Sequence, residues 1–292
     1  MPEVDSQSPV PPSSTVFQNK TLDETCRLRF VVVTVTYNAE RTLPRTLSSV
    51  AQQTYANITH LIVDGLSNDG TLALVQEYVE ENSVCAHQHE IRFIREPDQG
   101  LYDAMNKAIE NAEGNYLIFL NSGDALHSPD TLAVVADQLQ AASMGTDRDE
   151  EILPAVLFGE TDLVDEQGNF LRHRRLQAPV QLHWRSFLSG MLGCHQSFYV
   201  RADLAKEHPY NLSYRFSADF DWCIRIMKDA ESRGETFHNT GLILTDYLSE
   251  GLTTRHRHHS LLERFRIMCR HYGIVRTIAQ HLWFLVRLAI MR

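Results

Sequence analysis

Apolar positions in the first half of the chain alternate between short continuous runs and segments with helical spacing. The continuous runs, rich in β-branched residues, are typical of strands buried on both faces, whereas apolar residues three or four positions apart predict amphipathic helices. The runs are RFVVVTVTYN, THLIVDG, EIRFIRE and NYLIFLN, and the helical segments are ERTLPRTLSSVAQQ, SNDGTLALVQEYVEE, LYDAMNKAIENAEG and SPDTLAVVADQLQAA. This alternation predicts an α/β fold with a parallel sheet, right-handed crossovers and helices on both faces.

The pattern changes after about residue 145. VLFGETDLVDEQGNFLRHRRL predicts two strands joined by a glycine-containing hairpin, and GCHQSFYVR predicts another short strand. SADFDWCIRIMKDAESRG predicts a helix, and the last 33 residues, from Ser260, predict a pair of amphipathic helices. We expect a mobile tail rich in Pro, Ser and Gln, one α/β domain in two halves, and a helical extension, with bounds at 1–27, 28–145, 146–255 and 256–292.

Composition narrows the class of protein. The net charge of −10 makes a general nucleic-acid-binding surface unlikely, so no nucleic-acid partner is expected. The five cysteines are scattered, odd in number and form no CxxC pair, which favours free thiols in a reducing compartment. The sequence shows no signal-peptide pattern and no apolar run of the ~18–20 residues that a membrane span needs, so we expect a cytoplasmic protein.

Polar residues follow three of the predicted strands at their carboxyl ends, where ligands bind in sheets of this kind. Thr36, Tyr37 and Asn38 follow the first strand and Asp64 follows the second. A nucleotide base packs against an aromatic ring, and the polar atoms on its edges form hydrogen bonds with polar side chains. Turn preferences alone also explain each loop, but their combination in one parallel unit favours a ligand. The GxGxxG pattern of dinucleotide-binding folds is absent here.

The third loop, NSGD at 121–124, ends the fourth strand with a single carboxylate. A diphosphate cannot lie beside a carboxylate without a cation between them, and a divalent ion bound by Asp124 and by phosphate oxygens meets that need. Gly123 would allow the phosphate or the backbone to approach closely. The alternative is a simple strand-to-helix turn with Asp124 as a solvated cap.

FSADFDW places Asp219 and Asp221 in the first turn of a predicted helix, with Ser217 as its N-cap. The helix dipole stabilises acids in the first turn, which explains both residues without a catalytic role. Positions two apart on a helix point in different directions, so only one of the acids addresses a given reacting centre. We take Asp219 as the candidate general base, which would accept a proton from an attacking hydroxyl group.

Two further segments carry polar chemistry. His195 and Gln196 in GCHQSFYV are suited to hydrogen-bonding sugar or phosphate oxygens, although a histidine satisfied within a strand is an equally ordinary feature. TTRHRHHS at 253–260 is the densest cationic run of an acidic chain. Arg255 and His256 in this run are candidate phosphate contacts, and a solvated surface is the alternative. A zinc site is disfavoured because no cysteine pair accompanies the histidines.

Taken together, five separated motifs resemble the family-2 inverting glycosyltransferases of bacterial polysaccharide synthesis. They occur in the order of the family across residues 28–230, and they are VVVTVTYNAERTLPRTLSSVAQQTY, HLIVDGLSNDGT, REPDQGLYDAMNKAIENAEGNYLIFLNSGD, HQSFYV and SADFDW. The resemblance implies a GT-A fold with a Rossmann-like, mostly parallel sheet, a nucleotide-sugar donor and a Mg²⁺ or Mn²⁺ ion. It also implies that the 28–145 half binds the donor and the 146–255 half binds the acceptor.

By position, the resemblance implies a role for each motif residue. Thr36, Tyr37 and Asn38 would contact the nucleotide, Asp64 the base, Asn106, Ser122 and Gly123 the donor, Asp124 the metal, and Asp219 would be the catalytic base. The sequence departs from the family pattern at Asn121 and Gly123, where acids are common, and at Gly65, which replaces a second aspartate. Met105 precedes Asn106 where many members have arginine. These changes are similar to those of a capsule and exopolysaccharide subgroup.

The expected function is therefore inverting transfer of a sugar to a hydroxyl acceptor, with a glycan or a lipid-linked molecule as acceptor. His195, Gln196, Asp221, Arg255 and His256 are expected as acceptor or phosphate contacts. The C-terminal GIVRTIAQHLWFLVRLAIMR predicts a basic amphipathic helix, which would place the protein peripherally on the inner face of the cell membrane or pack on the catalytic domain. Two alternatives are a catalytically silent sugar-nucleotide-binding or scaffold protein and a nucleotidyltransferase, although the latter would need a basic, glycine-rich loop after the first strand.

Overall fold

The computed structural model describes residues 28–85, 88–144, 153–249 and 257–290. The predicted tail at 1–27 lies outside these residues, as do Arg255 and His256 of the basic run. The strands are β1 (Phe30–Thr36), β2 (Ile58–Asp64), β3 (Glu90–Arg95), β4 (Tyr116–Phe119), β5 (Ala125–Leu126), β6 (Val156–Val164), β7 (Phe170–His173), β8 (Phe198–Arg201) and β9 (Phe237–Leu248). The helices are α1 (Leu43–Ala51), α2 (Thr71–Val84), α3 (Leu101–Asn111), α4 (Thr131–Met144), α5 (Ala202–Glu207), α6 (Ala218–Ser232), α7 (Arg257–Tyr272) and α8 (Ile274–Ile290).

One mixed sheet of nine strands runs through the molecule, in the order β3-β2-β1-β4-β8-β6-β9-β5, with β7 paired to β6. The first four strands of this order are parallel, as the alternating pattern predicts. The second half differs because β8 is antiparallel to both β4 and β6, whereas β6 and β9 are parallel. β5 pairs antiparallel with β9 and so returns the chain after the 121–124 loop to the sheet.

β1 shows why the sheet is covered on both faces. All seven of its residues are buried, as its continuous β-branched run predicts. Val31, Val33 and Val35 pack in one cluster with α3 and α6, and Phe30 and Val32 pack in a second cluster with α4. The two sets alternate along the strand, so the strand places apolar side chains into both layers.

Several elements differ from the sequence-based expectation. The segment predicted as a strand at 193–201 contains a short 3₁₀ helix at His195–Ser197, and the strand starts only at Phe198. β9 and α5 were not anticipated. The predicted pair of C-terminal helices is present as α7 and α8, and among the described residues no helix is long and apolar enough to span a bilayer.

Candidate active site

The loops that follow β1 and β2 are joined by hydrogen bonds at the carboxyl edge of the sheet. The amide of Asn38 donates to the Ser67 hydroxyl at 2.9 Å, and the Asn38 side-chain oxygen accepts from the amide of Asn68 at 2.9 Å. Asp64 is fully buried and accepts from the Ser67 amide at 3.0 Å, and the Arg95 guanidinium lies 3.3 Å from it. The side chains of Asn38 and Asp64 therefore fix the shape of this edge.

Two exposed side chains and one buried hydroxyl lie at the same edge. The side chain of Tyr37 is 63% exposed, and Leu66 is also exposed, with a positive backbone φ of 63° that is unusual for a large residue. The Thr36 hydroxyl is buried and has no hydrogen-bond partner among the described residues. An aromatic ring and an apolar side chain are thus open to a ligand beyond β1 and β2, and an unsatisfied hydroxyl lies buried at the end of β1.

The 121–124 loop is held tightly against α1. Gly123 has φ of 102°, its amide donates to the Thr46 hydroxyl at 2.9 Å, and its carbonyl accepts from Arg45 at 3.1 Å. A Cβ atom at Gly123 would lie 2.6 Å from a methyl group of Leu248. Both the conformation and the contact therefore require glycine at this position.

Asp124 is a buried carboxyl group with a defined environment. One of its oxygens accepts from the Gln196 side-chain amide at 3.0 Å and the other from the backbone amide of Leu248 at 2.9 Å. Burial raises the pKa of Asp124 to about 7, although these two hydrogen bonds and the charge of Arg45 act in the opposite direction. A carboxylate so deprived of water gains strongly from any cation that reaches it.

The oxygens around Asp124 fit a hard divalent ion. The side-chain oxygens of Asn121 and Ser122 are buried without a hydrogen-bond partner among the described residues. Oxygen ligands of this kind suit Mg²⁺ or Mn²⁺, which bind one or two carboxylates and complete their coordination with phosphate and water. Two groups of three metal-ligating side chains occur among the described residues, and neither includes Asp124. Asp124 is therefore the carboxylate of this loop, and the oxygens of Asn121 and Ser122, a bound phosphate and water would complete the coordination of an ion.

His195 and Gln196 take different positions. His195 is stacked on Phe119, with ring centroids 5.1 Å apart, and its Nε2 is hydrogen-bonded to the Tyr210 hydroxyl. Burial lowers the pKa of His195 to about 4, with Asp219 acting in the opposite direction, so the ring is neutral at pH 7. Gln196 instead holds Asp124. The structure thus gives His195 a packing role and Gln196 a direct role beside the predicted metal ligand.

Asp219 and Asp221 point into different surroundings, as their spacing predicts. Asp219 is half-buried and accepts a hydrogen bond from the Tyr102 hydroxyl at 3.1 Å. Asp221 is 1% exposed, and its two oxygens accept from Arg225 and His271 at 2.7 Å each. Burial would raise the pKa of Asp221, but these two hydrogen bonds lower it overall. Asp221 therefore joins α6 to α7, and the geometry does not direct it to an acceptor.

Asn106 and Ser217 also bind within the protein. The Asn106 amide donates to the Tyr210 carbonyl at 3.0 Å and accepts from the Tyr210 backbone amide at 2.7 Å. Ser217 precedes α6 as expected, but its hydroxyl is bonded to Ser260 of α7 and not to the helix. Asn106 is therefore committed to holding the Tyr210 segment, and the geometry supports a positioning role for it.

A series of contacts connects Asp124 with Asp219. Gln196 binds Asp124, its neighbour His195 binds the Tyr210 hydroxyl, and the Tyr210 ring packs on Tyr102, which binds Asp219. Burial raises the pKa of the Tyr247 phenol, and the charges of Asp124 and Asp219 raise it further. The two acids, from different halves of the chain, therefore border one region. Tyr102 and Tyr247 were not singled out from the sequence, because a tyrosine in an apolar helix or strand looks like a core residue.

Comparison with known proteins finds a family and several proteins of similar sequence. The family described as Glycosyl transferase family 2 matches residues 31–146. A "PGL/p-HBAD biosynthesis glycosyltransferase" of Mycobacterium tuberculosis (strain ATCC 25177 / H37Ra) is 33% identical over 201 residues, which cover 68% of this chain and 70% of that protein. An uncharacterized glycosyltransferase of Mycobacterium tuberculosis (strain ATCC 25618 / H37Rv) is 34% identical over 66% of this chain and 67% of its own length.

Solved structures share the fold at low sequence identity. S. aureus TarS 1-349 in complex with UDP superposes with a TM-score of 0.60 at 16% identity, over 84% of this chain. The chain spans 65% of the length of that TarS structure. A mannosyltransferase from Pyrobaculum calidifontis in complex with GDP-Man and Mn²⁺ gives a TM-score of 0.57 at 16% identity, over 94% of this chain and 74% of that one. The mixed α/β sheet flanked by helices is thus the GT-A fold of these glycosyltransferases.

Proposed function

Because the chain belongs to glycosyl transferase family 2, we propose that it moves a sugar from a nucleotide-sugar donor to an acceptor hydroxyl group, with inversion at the anomeric carbon. The observation that carries this proposal is the series of contacts that connects Asp124, through Gln196, His195, Tyr210 and Tyr102, to Asp219. Asp124 would lie beside the donor diphosphate, and Asp219, in the first turn of α6, would face the reacting sugar.

The donor would bind along the carboxyl ends of β1, β2 and β4. Tyr37 and Leu66 provide exposed apolar surface for the nucleotide base, and the Thr36 hydroxyl provides an unsatisfied polar group nearby. Asn38 and Asp64 would contribute by fixing the two loops, and Ser122 and Gly123 would lie beside the phosphates. The UDP and GDP-Man bound in the neighbouring structures support a nucleotide-sugar donor without identifying the base.

Asp124 would hold a Mg²⁺ or Mn²⁺ ion, together with the unsatisfied oxygens of Asn121 and Ser122. When bound, such an ion supplies positive charge between this buried carboxylate and the diphosphate. The pKa of Asp124, about 7, supports the proposal because a carboxyl group with this pKa is only partly ionised at neutral pH until a cation stabilises its charge. Gln196 keeps one Asp124 oxygen in position for that contact.

Asp219 would act as the general base in a single in-line displacement. The acceptor hydroxyl loses its proton to the Asp219 carboxylate as its oxygen bonds to the anomeric carbon. The bond from that carbon to the diphosphate oxygen breaks, and its electron pair leaves with the nucleoside diphosphate. Tyr102 donates to one Asp219 oxygen, which leaves the other oxygen to receive the proton. A general base positioned in this way contributes about 10²–10⁴-fold in rate.

The acceptor would be a glycan or a lipid-linked molecule in polysaccharide or glycolipid assembly. The relatives named for PGL/p-HBAD biosynthesis give no support to the capsule and exopolysaccharide subgroup in particular. Helix α8 supports an acceptor at a membrane, because it exposes a set of apolar side chains, namely Ile274, Val275, Ile278, Leu282, Trp283, Leu285 and Val286. Residues 257–290 carry six arginines against one glutamate, in a chain of net charge −10, so this part of the chain complements an anionic lipid surface.

A thermal-shift screen tests the proposed donor class directly. UDP-, GDP- and dTDP-sugars are each added with and without Mn²⁺, and a ligand at 100 times its dissociation constant adds about 2.7 kcal/mol to the unfolding free energy. We expect one nucleotide class to raise the melting temperature, more strongly with Mn²⁺ than without it, and Asp124→Asn to remove the Mn²⁺-dependent part. No stabilisation by any of these donors would contradict the proposal. Donor binding without hydrolysis or transfer would favour the silent binding protein.

A further inference from the structure

Arg174 immediately follows β7 and has no acidic partner among the residues that the structure describes. Its guanidinium donates to the backbone carbonyls of Leu176 at 2.8 Å and Met191 at 2.7 Å. No carboxylate lies within ion-pair distance of it among the residues that the structure describes. Carbonyl groups fix the orientation of the guanidinium but leave its positive charge uncompensated, and N–H groups remain for another ligand.

Strand register places Arg174 on the same face as the candidate active site. Its backbone amide donates to the Thr161 carbonyl at 3.0 Å, and Thr161 is the register partner of Thr245 on β9. The Thr161 hydroxyl is bonded to Ser197 and the Thr245 hydroxyl to the carbonyl of Gln196. Cross-strand neighbours share a face of a sheet, so Arg174, Thr161 and Thr245 lie on one face. The two threonines on this face contact Ser197 and Gln196, and Gln196 binds Asp124.

Tyr247 lies on this face two residues beyond Thr245, since side chains alternate along a strand. The backbone amide of the next residue, Leu248, donates to the Asp124 carboxylate at 2.9 Å, so this part of β9 lies against the predicted metal ligand. The Tyr247 hydroxyl makes no hydrogen bond to any part of the chain that the structure describes. The next residues on these strands, Asp162 and Asp246, alternate to the opposite face and pair with His173 and His127.

We propose that Arg174 and Tyr247 bind the diphosphate of the donor and stabilise the negative charge that develops on it as the sugar leaves. This inference rests on the proposed function. A tyrosine hydroxyl is protonated at neutral pH and acts as a hydrogen-bond donor. A fixed guanidinium and a phenol on this face thus meet the need for positive charge and donors at a leaving diphosphate. This assignment gives the phosphate-binding role to Arg174, which follows β7, and to Tyr247 of β9, in place of the cationic run at 253–260.

Binding of nucleotides by calorimetry, in the presence of Mn²⁺, tests the assignment. UDP and GDP are compared with UMP and GMP, for the unaltered chain and for Arg174→Gln, Arg174→Lys and Tyr247→Phe. Arg175→Gln removes the same charge from the adjacent, exposed arginine and is the matched control. Losing one charge-assisted hydrogen bond should weaken diphosphate binding about tenfold in Arg174→Gln and Tyr247→Phe. Monophosphate binding should change less than about twofold, and Arg174→Lys should recover part of the loss.

The outcomes separate this inference from the proposed function. If the unaltered chain binds a diphosphate and both variants bind it equally well, the inference is wrong and the proposed function stands. Equal losses for mono- and diphosphate would also overturn it, because the residues would then support the site as a whole. If the unaltered chain binds neither diphosphate, the proposed function fails and the inference fails with it.

Discussion

The Tyr102 hydroxyl donates a hydrogen bond of 3.1 Å to the Asp219 carboxylate, across 117 positions of sequence. Tyr102 lies in the first turn of α3, the helix that follows β3, and Asp219 lies in the first turn of α6. Tyr210 stabilises this link, because its ring packs on Tyr102 at 5.4 Å and its backbone is held by Asn106. The candidate base is therefore positioned by the half of the molecule that we propose binds the donor.

Replacing Tyr102 with phenylalanine should lower kcat without removing the base. The Asp219 carboxylate would lose the hydrogen bond that fixes its orientation. A hydrogen bond to a charged group is worth about 1.5–3 kcal/mol, so we expect kcat to fall roughly 10- to 100-fold, with the dissociation constant of the donor within about twofold of the unaltered chain. Turnover and donor-binding measurements on both proteins test it.

The control for this change is Tyr78→Phe, which removes a buried phenol of α2 that is hydrogen-bonded to His60 of β2. It should lower stability by a similar amount and leave kcat unchanged. An identical kcat for Tyr102→Phe and the unaltered chain would show that the bond to Asp219 has no part in the chemistry.

Residue pattern was enough to predict the first half of the fold. Buried parallel strands need continuous apolar runs, and the seven buried residues of β1 match its run. Because ligands bind at the carboxyl ends of parallel strands, the sequence also predicts that Tyr37, Asp64 and Asp124 lie on loops at one edge of the sheet. Asp219 and Asp221 were distinguished by helical geometry, and their different partners agree with that distinction.

The rest depends on contacts between residues distant in sequence. Gln196 binds Asp124 across 72 positions and Leu248 binds it across 124, and no local pattern encodes such pairs. β9 has 12 residues with mixed burial, so its alternation is weak. The family resemblance predicts that Asn106 contacts the donor, whereas its side-chain amide is hydrogen-bonded to the backbone of Tyr210.

Gly123→Ala should destabilise the protein and weaken donor binding. The backbone at φ of 102° costs a side-chain-bearing residue about 1–3 kcal/mol, and the new methyl group would meet Leu248 at 2.6 Å. Because Leu248 also binds Asp124, a shift there should raise the KM for the donor. Denaturant unfolding and donor kinetics measure the two effects. Gly193→Ala is the control, since its Cβ would meet only Phe198, at 3.8 Å, and an unaltered stability for both variants would contradict the structure.

Asp124→Asn should make the stability of the ligand-free protein less sensitive to a rise in pH towards neutrality. The folded-state pKa of Asp124 is raised to about 7 from 3.8, so the folded protein binds more protons than the unfolded chain between these values. The free energy of unfolding contributed by Asp124 therefore falls as pH rises, by at most about 1.4 kcal/mol per unit, until pH 7 is passed. Denaturant unfolding of both proteins at pH 5 and pH 8 measures the difference.

Only the difference in unfolding free energy between the two proteins isolates the contribution of Asp124. The pKa of His60 is lowered to about 3 and that of His195 to about 4, so both contribute stability that increases with pH between these values and 6.5. Those contributions are common to the two proteins and cancel. The variant should gain stability relative to the unaltered chain as pH rises, and a gap that stays constant would contradict the raised pKa.

Leu282→Glu combined with Trp283→Glu should weaken binding to anionic vesicles. The two side chains are 58% and 56% exposed on α8, and charged groups there oppose insertion into a lipid interface. Sedimentation with vesicles of phosphatidylglycerol and phosphatidylcholine, at low and high salt, measures it. Val180→Glu removes another exposed apolar side chain far along the sequence and should bind as before. Equal sedimentation of all three proteins would remove α8 from the membrane contact, and loss of self-association alone would indicate a contact between copies.

Asp219→Asn, assayed for both turnover and donor binding, tests the central claim that two acids at one edge of the sheet divide the chemistry between them. Asp221→Asn makes the same chemical change two residues later, where both oxygens are paired, and should lower stability while preserving kcat. With Asp219→Asn we predict a fall in kcat of about 10²–10⁴-fold, with the dissociation constant of the donor in Mn²⁺ within about threefold of the unaltered chain. Normal turnover by Asp219→Asn would contradict the account.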